Sequence, residues 1–139
     1  MSGFVYALTP FLAWLIAGGL KFLINSLKAR RFAFDLIGYG GLPSNHSAIV
    51  SSMATLIGLK EGLNNPAFGV AITLAFIVLL DASSLRRQVG KQALAINQLN
   101  GSIKNDSLFL RERMGHTSVE IISGVAVGIF VALGVWLLL

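Results

Sequence analysis

The sequence predicts an all-α integral-membrane bundle of about four transmembrane helices, a single domain over residues 1–139 with a polar site at one membrane face. Three observations lead there. Of the 139 residues 55% are hydrophobic and only 12% are charged, about half the roughly 25% charged share of a soluble domain. Four apolar segments stand apart, and at roughly 20 residues per spanning helix they leave no room for a separate soluble domain. The basic residues fall almost entirely in two connections on one side of these segments.

The segments are, in order, about Phe4–Leu20, Ser47–Leu59, Ala67–Leu80 and Val119–Leu139. No basic stretch precedes the first and no small-residue cleavage site follows it, so it reads as a retained helix rather than a signal peptide. The first and last are long enough to span a bilayer unaided. The middle two are short of the ~17–25 residues required, and must extend into their polar flanks or sit inside the bundle. The second, "SAIVSSMATLIGL", is too rich in Ser and Thr to face lipid and is expected to pack against neighbours or line a cavity. Between the second and third, "KEGLNNP" is a tight turn broken by Gly62, Asn64, Asn65 and Pro66. In the last segment, Gly124 and Gly128 form a small-xxx-small pair suited to close helix packing, although glycine is also simply common in membrane helices. Within the long connection after the third segment, Gln88–Leu99 sets Val89, Leu94, Ile96 and Leu99 among polar residues and predicts a helix lying on the membrane surface.

A net charge of +5 and a pI near 10.1 would suit a nucleic-acid partner, but the placement of the charges points elsewhere. Lys21, Lys28, Arg30, Arg31, Arg86, Arg87, Lys91, Lys104, Arg111 and Arg113 lie in the first and third connections, leaving only Lys60 of the 11 basic residues opposite. This asymmetry is a positive-inside signal, which puts both long connections in the cytoplasm and both termini outside. The bilayer is then the expected partner, and nucleic acid is not. The chain has no cysteine, which excludes disulfides, thiolate catalysis and cysteine metal sites.

The same topology gathers the polar chemistry at the basic face. "GGLPSNHSA" (Gly40–Ala48) opens the second helix there, Asp81 with Arg86 and Arg87 closes the third, and "GHTSVE" opens the fourth. Lys21 and Arg30, from the end of the first helix, are expected to join them. Such a site suits an anion, and phosphate best: two helix N-termini near Ser44 and Thr117 offer unpaired N–H groups, and the arginines offer bidentate contacts. His46 and His116 add what binding alone does not need, a nucleophile and a proton donor. Glu120, four residues after His116, lies one turn on, where a carboxylate can hold one ring nitrogen and leave the other free to attack.

"GGLPSNHSA", "DASSLRRQVGKQA" and "GHTSVE" resemble, in this order, the three signatures of the divergent branch of the type-2 phosphatidic acid phosphatase and vanadium-dependent haloperoxidase superfamily. The resemblance covers Lys21 to Gly128. It implies a phosphohistidine at His116, orientation of that ring by Glu120, and protonation of the leaving alkoxide by His46. It further implies phosphate binding by Lys21, Arg30, Ser44 and the Arg86–Arg87 pair, supported by Asp81 and Asn45, with no metal and no cofactor. The chain departs from the pattern at Leu110, where the third motif carries arginine six residues before the histidine; Arg111 is one place late, so that role passes to Arg86 or Arg87. Glu120 stands where the wider superfamily has Asp, and Asn45 where Ser or Gly is usual. Members of that superfamily commonly have six helices and act at the outer face, so a homodimer is one way for about four helices to complete the bundle.

Each assignment has a plainer alternative. "TSVE" also fits a capping box, with Thr117 as N-cap and Glu120 at N3. His116 also suits a structural interfacial histidine, Pro43 and Ser44 a helix start, the arginines topology signals, Asp81 their counter-ion, and Lys21 a snorkelling side chain. The function expected is a metal-independent phosphatase that hydrolyses a terminal phosphate monoester of phosphatidylglycerophosphate, phosphatidate or an isoprenyl phosphate at the cytoplasmic face. The alternative is a non-enzymatic lipid-phosphate binding protein, or a small transporter with Ser51, Ser52 and Thr55 along a path and Asp81 as a proton relay.

Overall fold

Nothing between Leu20 and Ala29 breaks a helix, and α1 (Ser2–Ala29) runs 28 residues, about 42 Å at 1.5 Å per residue, rather than stopping at Leu20. The computed structural model describes residues 2–32, 34, 41–102, 109–112 and 114–138; Gly40, Lys104, Arg113 and Leu139, which carry expectations above, lie outside them. α1 ends where Arg30 turns left-handed (φ 52°). The Arg30 N–H bonds the Leu27 carbonyl (3.3 Å) and the Arg31 N–H bonds the Ser26 carbonyl (3.2 Å), the paired bonds of a Schellman stop.

α2 (Asn45–Glu61) has 17 residues, about 25 Å. It lies inside the bundle and packs on α1, on α3 (Pro66–Leu80) and on α5 (Ser118–Leu138). Its buried residues are mostly small: Ser47, Ala48, Val50, Ser51, Ser52, Ala54 and Leu56. The serines satisfy their hydroxyls on helix carbonyls, Ser51 on Ser47 (2.6 Å) and Ser52 on Ile49 (2.8 Å), so a Ser-rich helix is tolerated in an apolar setting.

Asn65 caps α3 by accepting the Ala67 N–H (2.9 Å), with Pro66 in the first turn. α3 presents Ala71 and Ala75 to the interior and leaves Val70, Leu74, Phe76 and Ile77 exposed. Its C-terminal end corrects the sequence expectation. The helix continues through a π-helical turn, Asp81–Leu85, into α4 (Arg86–Ser102). The segment over Gln88–Leu99 is therefore helical but continuous with α3, because neither Gly nor Pro interrupts Leu80–Arg87.

Three helices are long and apolar enough to cross a membrane: α1 from Gly3, the continuous helix Pro66–Gly101, and α5. The bundle is held by small residues rather than large ones. Ala13 and Ala17 of α1, Ala48 of α2 and Val131 of α5 form one buried cluster, flanked by Val127 and Val135. Gly124 and Gly128 are both buried on the α2 side of α5. A Cβ on Gly124 would strike the Ser44 carbonyl oxygen and Ser47 Cβ, and one on Gly128 would strike Ser51 Oγ and the Ala48 carbonyl oxygen. Ser51 Oγ also reaches the Val125 carbonyl across this seam (3.3 Å).

Gly124→Ala and Gly128→Ala should each cost about 1–3 kcal/mol by overpacking. Gly134→Ala, whose Cβ would meet nothing within 4 Å, should cost none. Thermal melts in detergent check this; equal behaviour of all three variants would contradict the close α2–α5 seam.

Candidate active site

Four pieces of backbone converge at one end of the bundle. The first is the start of α2. Pro43 follows a cis peptide bond with Leu42 and is buried, and Ser44, fully buried, is the N-cap. Its hydroxyl accepts from the Ser47 N–H (3.4 Å) and the Ser47 hydroxyl (2.9 Å). The Ser44 N–H bonds the carbonyl of Glu120 (2.9 Å), which stitches the opening of α2 to that of α5.

The second piece is the opening of α5, where the capping box and the histidine pair coexist. The Glu120 N–H bonds Thr117 Oγ1 (3.3 Å), and Glu120 Oε2 accepts the Thr117 N–H (3.0 Å). The same oxygen lies 3.1 Å from His116 Nδ1. His116 and Glu120 are only 9% and 7% exposed. Capping thus fixes the carboxylate that fixes the ring, and a carboxylate partner favours the tautomer with the proton on Nδ1, leaving the Nε2 lone pair free.

The third piece is the π-turn. Its closing bond runs from the Arg86 N–H to the Asp81 carbonyl, and the Arg86 Nε meets Asp81 Oδ2 at 2.9 Å. Residues five apart diverge on an α-helix, and the wider π-turn brings these two onto one side. The Ala82 carbonyl accepts the His116 N–H (3.0 Å), and Arg87 Nη2 donates to the His116 carbonyl (3.2 Å). His116 is therefore held by its N–H, its carbonyl and its ring. Gly115 makes this approach possible. Its φ is +88°, and a Cβ there would meet Arg87 Cγ at 3.1 Å and the Ala82 carbonyl at 3.3 Å.

The fourth piece is the C-terminal third of α1, which supplies half-buried Lys21. The His46 and His116 rings stand 6.2 Å apart between centroids, tilted by 54°. His46 is exposed, toward the mouth of the site. The charges of Arg86, Lys21 and Asp81 all reach the His46 ring, and Lys21 is within electrostatic reach of Glu120. Asn45 sits beside Gly18 of α1, and its Oδ1 is buried with no hydrogen-bond partner among the described residues.

The structure thus brings together Lys21, Ser44, Asn45, His46, Asp81, Arg86, Arg87, His116 and Glu120. It does not bring Arg30. Arg30 lies nine positions and about 13 Å of chain beyond Lys21, past the end of α1, where its backbone turns left-handed and its side chain is exposed. The arginine pair divides its work: the charge of Arg86 acts on His46, while Arg87 is tied to the His116 backbone. Sequence reasoning missed Gly115, Ala82 and Asn97. The last is a clamp on α4: its Nδ2 donates to the Leu110 carbonyl (2.7 Å) and Glu112 Oε1 (2.9 Å), and its Oδ1 accepts the Leu110 N–H (2.8 Å). A lone Asn on an amphipathic helix gives little sequence signal of such a role.

Residues 5–131 match the divergent PAP2 family. The chain belongs to that family. This divergent PAP2 chain is also 30% identical over 142 residues to the uncharacterized membrane protein YuiD of Bacillus subtilis (strain 168), a match that covers 91% of the chain and 90% of the relative. No solved structure matches it. Together with three apolar helices of spanning length, these likenesses make the divergent PAP2 chain an integral membrane protein.

Proposed function

We propose that this divergent PAP2 chain is a membrane-embedded phosphatase that removes a terminal phosphate monoester from a lipid at the cytoplasmic face. The observation that carries the proposal is the buried His116–Glu120 pair, 3.1 Å apart, facing a second histidine across 6.2 Å at two helix N-termini. The cations and the positive ends of the two helices suit the phosphate there. Nε2 of His116 attacks phosphorus as the bond to the alkyl oxygen breaks, and His46 gives its proton to that oxygen, releasing the alcohol. Neutral His46 then takes a proton from water, whose oxygen attacks phosphorus and breaks the P–N bond, releasing phosphate and restoring both rings. Lys21 and Arg86 neutralise the equatorial oxygens; Arg87 acts on the backbone of His116. Arg30 has no part.

Phosphatidylglycerophosphate, phosphatidate and isoprenyl phosphates satisfy this site equally by charge. A cytoplasmic face suits lipids synthesised on that side, phosphatidylglycerophosphate first among them. Against the transport alternative, Ser51 and Ser52 spend their hydroxyls on helix carbonyls rather than along a path. The test is phosphate release by purified protein in detergent from these three substrates. Release from at least one, blocked by vanadate, is expected; silence across the panel from folded protein contradicts the proposal.

Glu120→Gln separates cap from chemistry. Glutamine also serves in a capping box, so the melting temperature should hold, while loss of the charge beside the ring should lower kcat about 10²–10³-fold. A fall in both together, or in neither, contradicts the role given to Glu120.

A further inference from the structure

α2 is enclosed on three sides and open on the fourth. Ser44, Ser47, Ala48 and Ser51 meet α5 at Gly124 and Gly128. Asn45 and Ala48 meet α1 at Gly18 and at the Ala13–Ala17 cluster. The remaining buried face runs from Val50 and Ala54 towards Gly58, where Phe68 of α3 packs on α2. α1 and α3 each pack along α2 without extensive contact with one another among the described residues.

Between them one strip of α2 stays accessible: His46, Ile49, Met53 and Ile57. Steps of three, four and four residues put all of these on one helical face. Every other residue from Ser47 to Leu56 is buried except Thr55. The strip begins at the His46 ring and continues as apolar side chains toward the middle of the bilayer, Met53 lying about 10 Å beyond His46.

We propose that this strip, between α1 and α3, holds the hydrocarbon chain of the substrate and that Met53 and Ile57 determine which chain fits. This rests on the phosphatase reading, which sets the phosphate beside His46. Continuity with the polar site names the occupant. A molecule whose phosphate lies between the two histidines and whose tail leaves past His46 meets Ile49, Met53 and Ile57 in turn. These side chains offer no hydrogen bond, so a sugar or nucleoside tail would leave its polar groups unpaired, whereas a straight or branched hydrocarbon would not. Met53 supplies an adaptable surface for it. A second apolar groove, along Val70, Leu74 and Ile77 of α3, holds one hydroxyl, that of Thr73, which is spent on the Gly69 carbonyl (2.9 Å), and it serves as the comparison surface.

The test uses the full chain in phosphatidylcholine nanodiscs and a non-hydrolysable long-chain alkyl phosphonate with a photoreactive diazirine at mid-chain. Adducts should concentrate on the Ile49–Ile57 stretch over the Val70–Ile77 groove of α3 by at least about fivefold, a preference of about 1 kcal/mol. Excess unlabelled long-chain phosphonate should remove that preference. Met53→Trp, which fills the strip, should abolish it, and the near-isosteric Met53→Leu should retain it. Adducts spread evenly over α2 and α3, without competition, would mark bulk lipid contact and overturn the proposal, as would unchanged labelling of Met53→Trp. Labelling needs no turnover, so the two readings fail separately. An active phosphatase with even labelling loses the strip alone, and focused labelling of a protein that releases no phosphate loses the phosphatase alone.

Discussion

His116→Ala should abolish phosphate release, lowering kcat by about 10⁴-fold or more, because no other group replaces the atom that bonds to phosphorus. The loss should not be a loss of fold. The His116 backbone bonds to Ala82 and Arg87 remain in the variant, and Glu120 keeps its bond from the Thr117 N–H. Only the ring contact goes, at a stability cost of about 1–3 kcal/mol. Phosphate release and a thermal melt on the same preparation separate the two effects. A folded variant with near-wild-type release would remove His116 from the chemistry and leave it a structural histidine at a helix start.

The second large effect belongs to His46, and its size should depend on the leaving group. With an alkyl alcohol leaving, His46→Ala should lower kcat and kcat/KM together by about 10²–10⁴-fold, the usual worth of a positioned general acid. With p-nitrophenyl phosphate, whose leaving group needs no proton, the fall in kcat/KM, which reports the first step, should shrink towards none, while kcat still falls because His46 also activates the water. Comparing the two substrates in wild type and variant measures proton donation directly. A rise in KM with kcat unchanged for both would instead make His46 a phosphate ligand.

Much of the architecture is written locally in the sequence. A Ser-rich segment bounded by longer apolar ones belongs inside a bundle, and α2 is there with its hydroxyls on its own carbonyls. Gly124 and Gly128, four apart, carry the close seam with α2, because a missing Cβ at each is what lets the Ser44 and Ala48 carbonyls approach. The His116–Glu120 pairing is legible in their spacing of four, although His116 stands before α5 and meets the carboxylate because the capping box turns Glu120 back over the helix start, the same oxygen serving both contacts. The features that escaped depend on long-range contacts or on departures from regular helix. No residue pattern announces the π-turn at Asp81–Leu85, yet it decides that Arg86 pairs with Asp81 while Arg87 bonds the His116 carbonyl. The bonds of Asn97 to Leu110 and Glu112 join residues more than a dozen positions apart. Arg30 looked like a partner of Lys21 because both close one segment; the uninterrupted run to Ala29 carries it past the site.

The central claim is a covalent bond between His116 and phosphate. The most direct measurement is a rapid acid-free quench of wild-type protein with a ³²P-labelled lipid phosphate, followed by mapping of the label. The account predicts an acid-labile, base-stable phosphoryl group on His116, absent from His116→Ala and building up when water attack is slowed. Turnover of the same substrate with no label on the protein, or with label on another residue, would contradict it.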